Sequence, residues 1–153
     1  MSARRGVGPL SVGGGWLVDE VLFRLLIDLE TQKARRLRYS VSLVCFAVEP
    51  GALGNGKISV PALAESITPH IRGTDAVALW AQGWLGLLLI DAETTRLPVI
   101  VHRIFARIET VGWSAGGSCY PGTATRADDM LRQAIDLMGR AREEGGNRLY
   151  VPS

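Results

Sequence analysis

The hydrophobic pattern of the chain predicts an α+β fold, a central, mostly antiparallel five-stranded sheet flanked by helices. Three observations predict it. Short runs rich in apolar and β-branched residues recur at 41–48, 76–80, 84–90, 111–120 and 148–151, and runs of that length read as strands. Between them, at 19–36, 60–72, 94–108 and 126–143, lie longer stretches with helix-like spacing of their apolar residues, the period of a helix that buries one face. Turn formers fall at the boundaries, among them Pro50-Gly51, Ala81-Gln82-Gly83, Pro121-Gly122 and Gly145-Gly146.

Each element has its own warrant. In 19–36 the residues Val21, Leu22, Leu25, Leu26 and Leu29 fall on one helical face. The strand 41–48 is followed by a loop, 51–57, that holds three glycines. Helix 60–72 has Pro61 in its first turn, where a missing N–H costs nothing, but Pro69 distorts its last turn. Strands 76–80 and 84–90 are joined by a hairpin over Ala81-Gln82-Gly83. Helix 94–108 carries an apolar stripe through Ile100, Ile104 and Ile108, and helix 126–143 is stopped by two glycines. The order is α-βαββαβ-αβ, and its βαββαβ core is that of a ferredoxin-like sheet, the palm of many nucleotide cyclases and polymerases. Residues 1–15, with Gly13, Gly14 and Gly15, are expected to be a flexible lead-in to a single domain over 16–153.

Composition narrows the function classes. With 47% hydrophobic residues among 153, the chain can bury a core. A net charge of +2 gives no bulk attraction for nucleic acid, so no nucleic-acid partner is expected. The basic cluster Lys33, Arg35, Arg36 and Arg38 reads as a solvated helix end that complements the helix dipole. No apolar run reaches the ~18 residues of a membrane span. Arg4 and Arg5 are not followed by an apolar segment, so no secretory signal is read and a cytoplasmic location is expected. Cys45 and Cys119 lie in predicted strands without metal-ligand or disulfide spacing, and His70 and His102 have no nucleophile motif beside them.

Three stretches together resemble one family. RYSVSLVCFAVE at 38–49 resembles the first strand of GGDEF domains, which runs into D-x-D. IRGTDAVALWAQGWLGLLLID at 71–91 resembles that family's R-x-x-D, strand, GGDEF hairpin, strand segment. Residues 111–149 resemble its closing region, with Asn147 and Arg148 at the last two letters of G-R-N-R. The resemblance covers nearly the whole chain from about Asp19, and the three stretches agree in order and spacing. It implies the palm-type fold of the diguanylate cyclases, which join two GTP molecules.

The departures decide what the resemblance implies about activity. The GGDEF pentapeptide falls on Ala81, Gln82, Gly83, Trp84 and Leu85, and the first aspartate of D-x-D falls on Ala47. Only Glu49, at the second D-x-D position, keeps a carboxylate. Phosphoryl transfer in such enzymes depends on divalent metal held by carboxylate oxygens. With Ala47 and Trp84 in those places, no metal centre, no cofactor and no cyclase activity are expected. The family's guanine-reading loop is also shortened, with Asn55 as a partial match and Lys57 where an aspartate belongs. Trp84 either fills the vacated hairpin pocket or serves as a partner contact.

What persists is a second family motif. Many GGDEF domains bind cyclic di-GMP at an inhibitory site whose mark is R-x-x-D, five residues before the hairpin. Arg72-Gly73-Thr74-Asp75 has that spacing to Ala81. The family's further arginine falls on Arg103, and Arg107 lies one turn beyond. Guanidinium forks pair with phosphate and with the O6/N7 edge of guanine, and a carboxylate accepts from guanine N1 and N2. The resemblance therefore implies a cyclic di-GMP receptor, with Arg35 or Arg36 of a second protomer as a candidate addition. Beside it stands a bland alternative: Asp75 caps a turn, Arg72 pairs with a neighbouring acid, and the chain is a scaffold for another protein. A protein partner is expected under either, and a homodimer is left open. Trp16, Trp80, Trp84 and Trp113 are the aromatic candidates for a contact surface.

Overall fold

The computed structural model describes residues 10–11, 14–48, 59–107 and 112–152. Two short strands, β1 (Leu10–Ser11) and β2 (Trp16–Val18), precede helix α1 (Glu20–Leu37) and strand β3 (Val41–Val48). Helix α2 (Val60–Ile67) passes into a 3-10 turn, Thr68–His70, as expected from Pro69. The hairpin strands β4 (Ala76–Leu79) and β5 (Leu85–Ile90) follow, then a 3-10 turn at Thr94–Arg96 and helix α3 (Leu97–Arg107). Strand β6 (Trp113–Tyr120), helix α4 (Ala127–Glu143) and strand β7 (Arg148–Tyr150) close the fold. Among the described residues no helix is long and apolar enough to cross a membrane.

One sheet runs β1-β2-β4-β5-β3-β6-β7. The pairs β2–β4 and β6–β7 are parallel and the other four antiparallel, so the sheet is mostly antiparallel as expected. Among the described residues it has seven strands rather than five. The two additional strands are too short to carry an alternating pattern, and only pairing defines them: Trp16, Leu17 and Val18 lie opposite Ala76, Val77 and Ala78 of β4. For the same reason the expected lead-in is ordered at its end. The Gly15 N–H donates to Thr68 O at 2.9 Å, and the Trp16 N–H and indole donate to Asp75 O and Gly73 O, both at 2.9 Å.

Alternation along the strands divides the core into two layers. Val44 and Phe46 of β3, Val77 of β4, and Leu85, Leu87 and Leu89 of β5 face α2 and α3, packing on Leu63, Ile67, Leu97, Val101 and Ile104. Leu43, Cys45, Ala78, Trp80 and Leu88 face the other way, onto Phe23 and Ile27 of α1 and Met130, Ala134 and Met138 of α4. Helix α4 lies close on β6. A Cβ added to Gly116 would come within 2.2 Å of Ala134 O and 2.3 Å of Met138 N.

Helix α1 is oriented otherwise than its leucines suggest. Asp19 caps it, accepting from the Leu22 N–H at 2.8 Å. Its buried residues are Phe23, Ile27, Thr31 and Ala34, one stripe at helical spacing. Val21, Leu25 and Leu29, expected on the packed side, face solvent. The helix has two apolar stripes. The sheet takes the one with Ala34, whose small side chain permits close approach, and with Thr31, whose hydroxyl is satisfied by Asp28 O at 2.9 Å.

Candidate functional site

The segment between the Thr68–His70 turn and β4 folds into a tight loop around one carboxylate. The Asp75 N–H donates to Arg72 O at 2.8 Å. Asp75 Oδ2 accepts from the Arg72 N–H at 3.0 Å and from Arg72 Nε at 3.5 Å. Its Oδ1 accepts from the Ile90 N–H at 2.9 Å and from the Thr74 hydroxyl at 3.2 Å. A carboxylate offers about four acceptor positions, and here all are taken from within the chain. The Asp75 side chain is 3% exposed and ties the start of β4 to the end of β5.

The Arg72 side chain extends outward from this knot. It is 58% exposed, and a terminal nitrogen donates to Ile90 O. Beside it opens a cavity of about 430 Å³, lined among others by His70, Arg72, Asp75, Asp91, Arg96 and Arg103. Arg72, Asp75 and Arg103 are thus brought together, although they belong to a loop and a helix far apart in sequence. Arg107 is the last residue of α3, and its side chain lies outside the described residues. Arg96, which the motif does not contain, lines the same cavity from the 3-10 turn before α3. A signal for it existed: Arg96, Val99, Ile100 and Arg103 follow i, i+3, i+4, i+7 spacing, which places them along one helical face. Among the described residues neither Arg96 nor Arg103 makes an ion pair. Three guanidinium groups therefore face one concavity, opposed by Asp91 and by an Asp75 whose charge is already solvated by N–H groups.

At the other end of the β4–β5 hairpin, roughly 17 Å away at ~3.3 Å per residue, lies the AQGWL segment. The Trp80 N–H donates to Trp84 O at 2.8 Å and the Gly83 N–H to Trp80 O at 2.9 Å. Gly83 has φ +98°, a left-handed conformation that suits a residue without Cβ. Trp84 stacks on Trp80 with ring centres 4.3 Å apart, and Trp80 meets Phe23 edge-on at 5.1 Å. Ala47, Gln82 and Trp84 line a second cavity of about 440 Å³, with Val60, Met138 and Arg142. Ala81 is exposed, and its N–H donates to Glu20 Oε1 at 3.4 Å. Leu85 is not part of this cavity; it is buried in the layer under α2 and α3. Glu49, Asn55 and Lys57 lie outside the described residues.

The described residues of this second cavity do not by themselves fit a divalent cation. None of its described lining side chains is a carboxylate, and Arg142 adds positive charge. Among the described residues no three of His, Cys, Asp or Glu come together as metal ligands would. Both cysteines are buried and unpaired, and burial pushes the Cys45 thiol far above its ordinary pKa. His102 rests edge-on against Trp113 at 5.4 Å. The Lys33–Arg38 cluster is exposed at the end of α1, with Lys33 paired to Glu30 at 3.0 Å.

No family model matches the chain, and no curated protein sequence does. Solved structures do match. The GGDEF domain of YfiN (TpbB) from Pseudomonas aeruginosa aligns over 88% of this chain and 96% of its own, with TM-score 0.77 and 18% identity. A microbial GGDEF domain studied for its interaction with cyclic di-GMP aligns over 88% of this chain and 94% of its own, with TM-score 0.74 and 18% identity. The active GGEEF domain of a diguanylate cyclase from Vibrio cholerae aligns over 87% and 96%, with TM-score 0.74 and 15% identity. Taken with the sheet order and the helix layers, these matches establish that the chain has the fold of a GGDEF domain.

Proposed function

We propose that the chain is a non-catalytic GGDEF-fold module that binds cyclic di-GMP in the cavity beside Arg72. The observation that carries the reading is the convergence of Arg72, Arg96 and Arg103 on one concavity, while the cavity at the AQGWL hairpin is lined by no described carboxylate. A cyclic dinucleotide has two phosphates and two guanines. Arg96 and Arg103, which make no ion pair among the described residues, suit the phosphates, and the outward Arg72 fork suits the O6/N7 edge of a guanine. Asp75 takes a different part from the one the motif implies. With its acceptor positions filled from within the chain, it is a positioning residue that aims Arg72 and does not read guanine N1 and N2. The bland alternative is thus right about the bond and compatible with the site.

The test is isothermal titration of the whole chain with cyclic di-GMP, alongside Arg72→Ala and Arg103→Ala. Saturable binding weakened about tenfold or more in each variant, as the loss of a charge-assisted contact implies, supports the reading. Absence of heat at high micromolar ligand removes it. A second reading, a scaffold for a protein partner without nucleotide, has one observation of its own: Val21, Leu25 and Leu29 are large apolar side chains on the outer face of α1. A partner retained equally by the wild type and by both arginine variants favours that reading.

A further inference from the structure

The Arg72 cavity is lined by two carboxylates, Asp75 and Asp91. Asp75 is filled from within the chain. Asp91 is exposed beside Arg72, Arg96 and Arg103, and among the described residues its side chain has no hydrogen bond or ion pair. Its backbone, by contrast, is pinned on both sides. The Ile90 N–H donates to Asp75 Oδ1 at 2.9 Å, and Ile90 O accepts from the Arg72 guanidinium. Ala92 is buried, and its carbonyl accepts from the Ser42 hydroxyl at 2.6 Å. Between these anchors Asp91 takes φ 56°, a left-handed conformation that is uncommon outside glycine and that clusters at ligand sites. The free carboxylate thus directly follows the residue that holds the Arg72 fork.

We propose that Asp91 reads the N1 and N2 hydrogens of the guanine whose O6/N7 edge Arg72 reads, and so makes the cavity select guanine over adenine. This rests on the cyclic di-GMP reading above, and it gives Asp91 the part that Asp75 does not take. An ionised carboxylate only accepts hydrogen bonds. Guanine presents N1–H and the 2-amino group side by side, which suits its two oxygens. Adenine presents a lone pair at N1 and no amino group at C2. The carboxylate would then lose water without gaining a partner, and a penalty of that kind lets a polar site reject an analogue that lacks the donor. Arg96 and Arg103 remain for the phosphates, so one unfilled carboxylate among three guanidinium groups does not reverse the charge of the cavity. The pinned backbone holds Asp91 in place before the ligand arrives, which reduces the ordering that binding must offset.

Isothermal titration of the whole chain with cyclic di-GMP, cyclic di-AMP and cyclic di-IMP tests this; the hypoxanthines of the last lack the 2-amino group. The wild type should bind cyclic di-GMP about tenfold or more tighter than either analogue, as the loss of a charge-assisted hydrogen bond implies. In Asp91→Gly that preference should disappear through weaker binding of cyclic di-GMP, with cyclic di-AMP bound no less well than before. Asp91→Asn repeats the comparison with the side-chain shape kept. Glycine and asparagine both tolerate positive φ, and circular dichroism verifies that each variant folds. The inference is overturned if the wild type binds the three ligands alike or if Asp91→Gly keeps the wild-type preference. It is also overturned if Asp91→Gly tightens all three equally, since the carboxylate would then only repel phosphate. Binding that Arg103→Ala weakens and Asp91→Gly leaves unaltered removes the part of Asp91 alone. A wild type that binds none of the three removes the cyclic di-GMP reading and this inference with it.

Discussion

Asp75 shows how a motif residue can be engaged from within the chain. Its carboxylate satisfies two backbone N–H groups, of Arg72 and Ile90, that would otherwise be orphaned near the end of the sheet. Each such group left unpaired in a buried place costs about 1–3 kcal/mol. Asp75→Ala should therefore lower unfolding stability by about 2–4 kcal/mol in a urea titration. Arg72→Ala should change it by less than about 1 kcal/mol, because the pair is exposed on the arginine side and solvent screens it. Equal losses in the two variants would mean that the guanidinium, rather than the carboxylate, organises the loop. Arg72-Gly73-Thr74-Asp75 was legible as a motif, but the direction of each side chain was not. Direction depends on where the Ile90 N–H of β5 lies, and that is fixed only when the strands pair.

At the scale of elements, two observations separate packing from propensity. Gly116 gives α4 its place: a methyl group there would press on the backbone of the helix, at Ala134 and Met138, rather than on a side chain that can move. Gly116→Ala should cost at least about 2 kcal/mol by forced displacement, measured as a fall in the urea midpoint with unchanged slope. A loss of only a few tenths would show that α4 slides freely over β6. Helix α1 makes the second case. Ile27→Ala should cost about 2–5 kcal/mol, since Ile27 is buried between the helix and the sheet. Leu25→Ala, on the solvent side, should change stability within about 0.5 kcal/mol. Of the apolar face read in α1, Leu22 and Leu26 pack against the core while Val21, Leu25 and Leu29 face solvent. Periodicity finds a stripe, but it cannot say which of two stripes meets the sheet when both have helical spacing, and small Ala34 and half-polar Thr31 do not announce a core.

For the molecule as a whole, the two cavities stand at opposite ends of the β4–β5 hairpin and carry different chemistry. One is lined by arginines and the other by Ala47, Gln82 and a stacked tryptophan. On the proposed reading, incubation with GTP and magnesium or manganese, followed by chromatography, should yield no cyclic dinucleotide, because no described residue lining the hairpin cavity is a carboxylate that would hold metal. Measurable turnover would mean that carboxylates outside the described residues, Glu49 among them, are enough to hold metal.

The amino-acid sequence by itself determined the order of the main elements, the hairpin at Ala81-Gln82-Gly83 and the pairing of Arg72 with Asp75 and Arg103 as candidates. Each of these is written in local chemistry: strand-length apolar runs, helical spacing, turn formers and motif letters a few positions apart. The tertiary structure decided the rest. It added β1 and β2, which exist only as partners of one another and of β4. It turned Val21, Leu25 and Leu29 to the surface and brought Arg96 beside Arg72. These outcomes depend on which surfaces meet across the sheet, and contact between distant segments has no signature in the neighbours of a single residue.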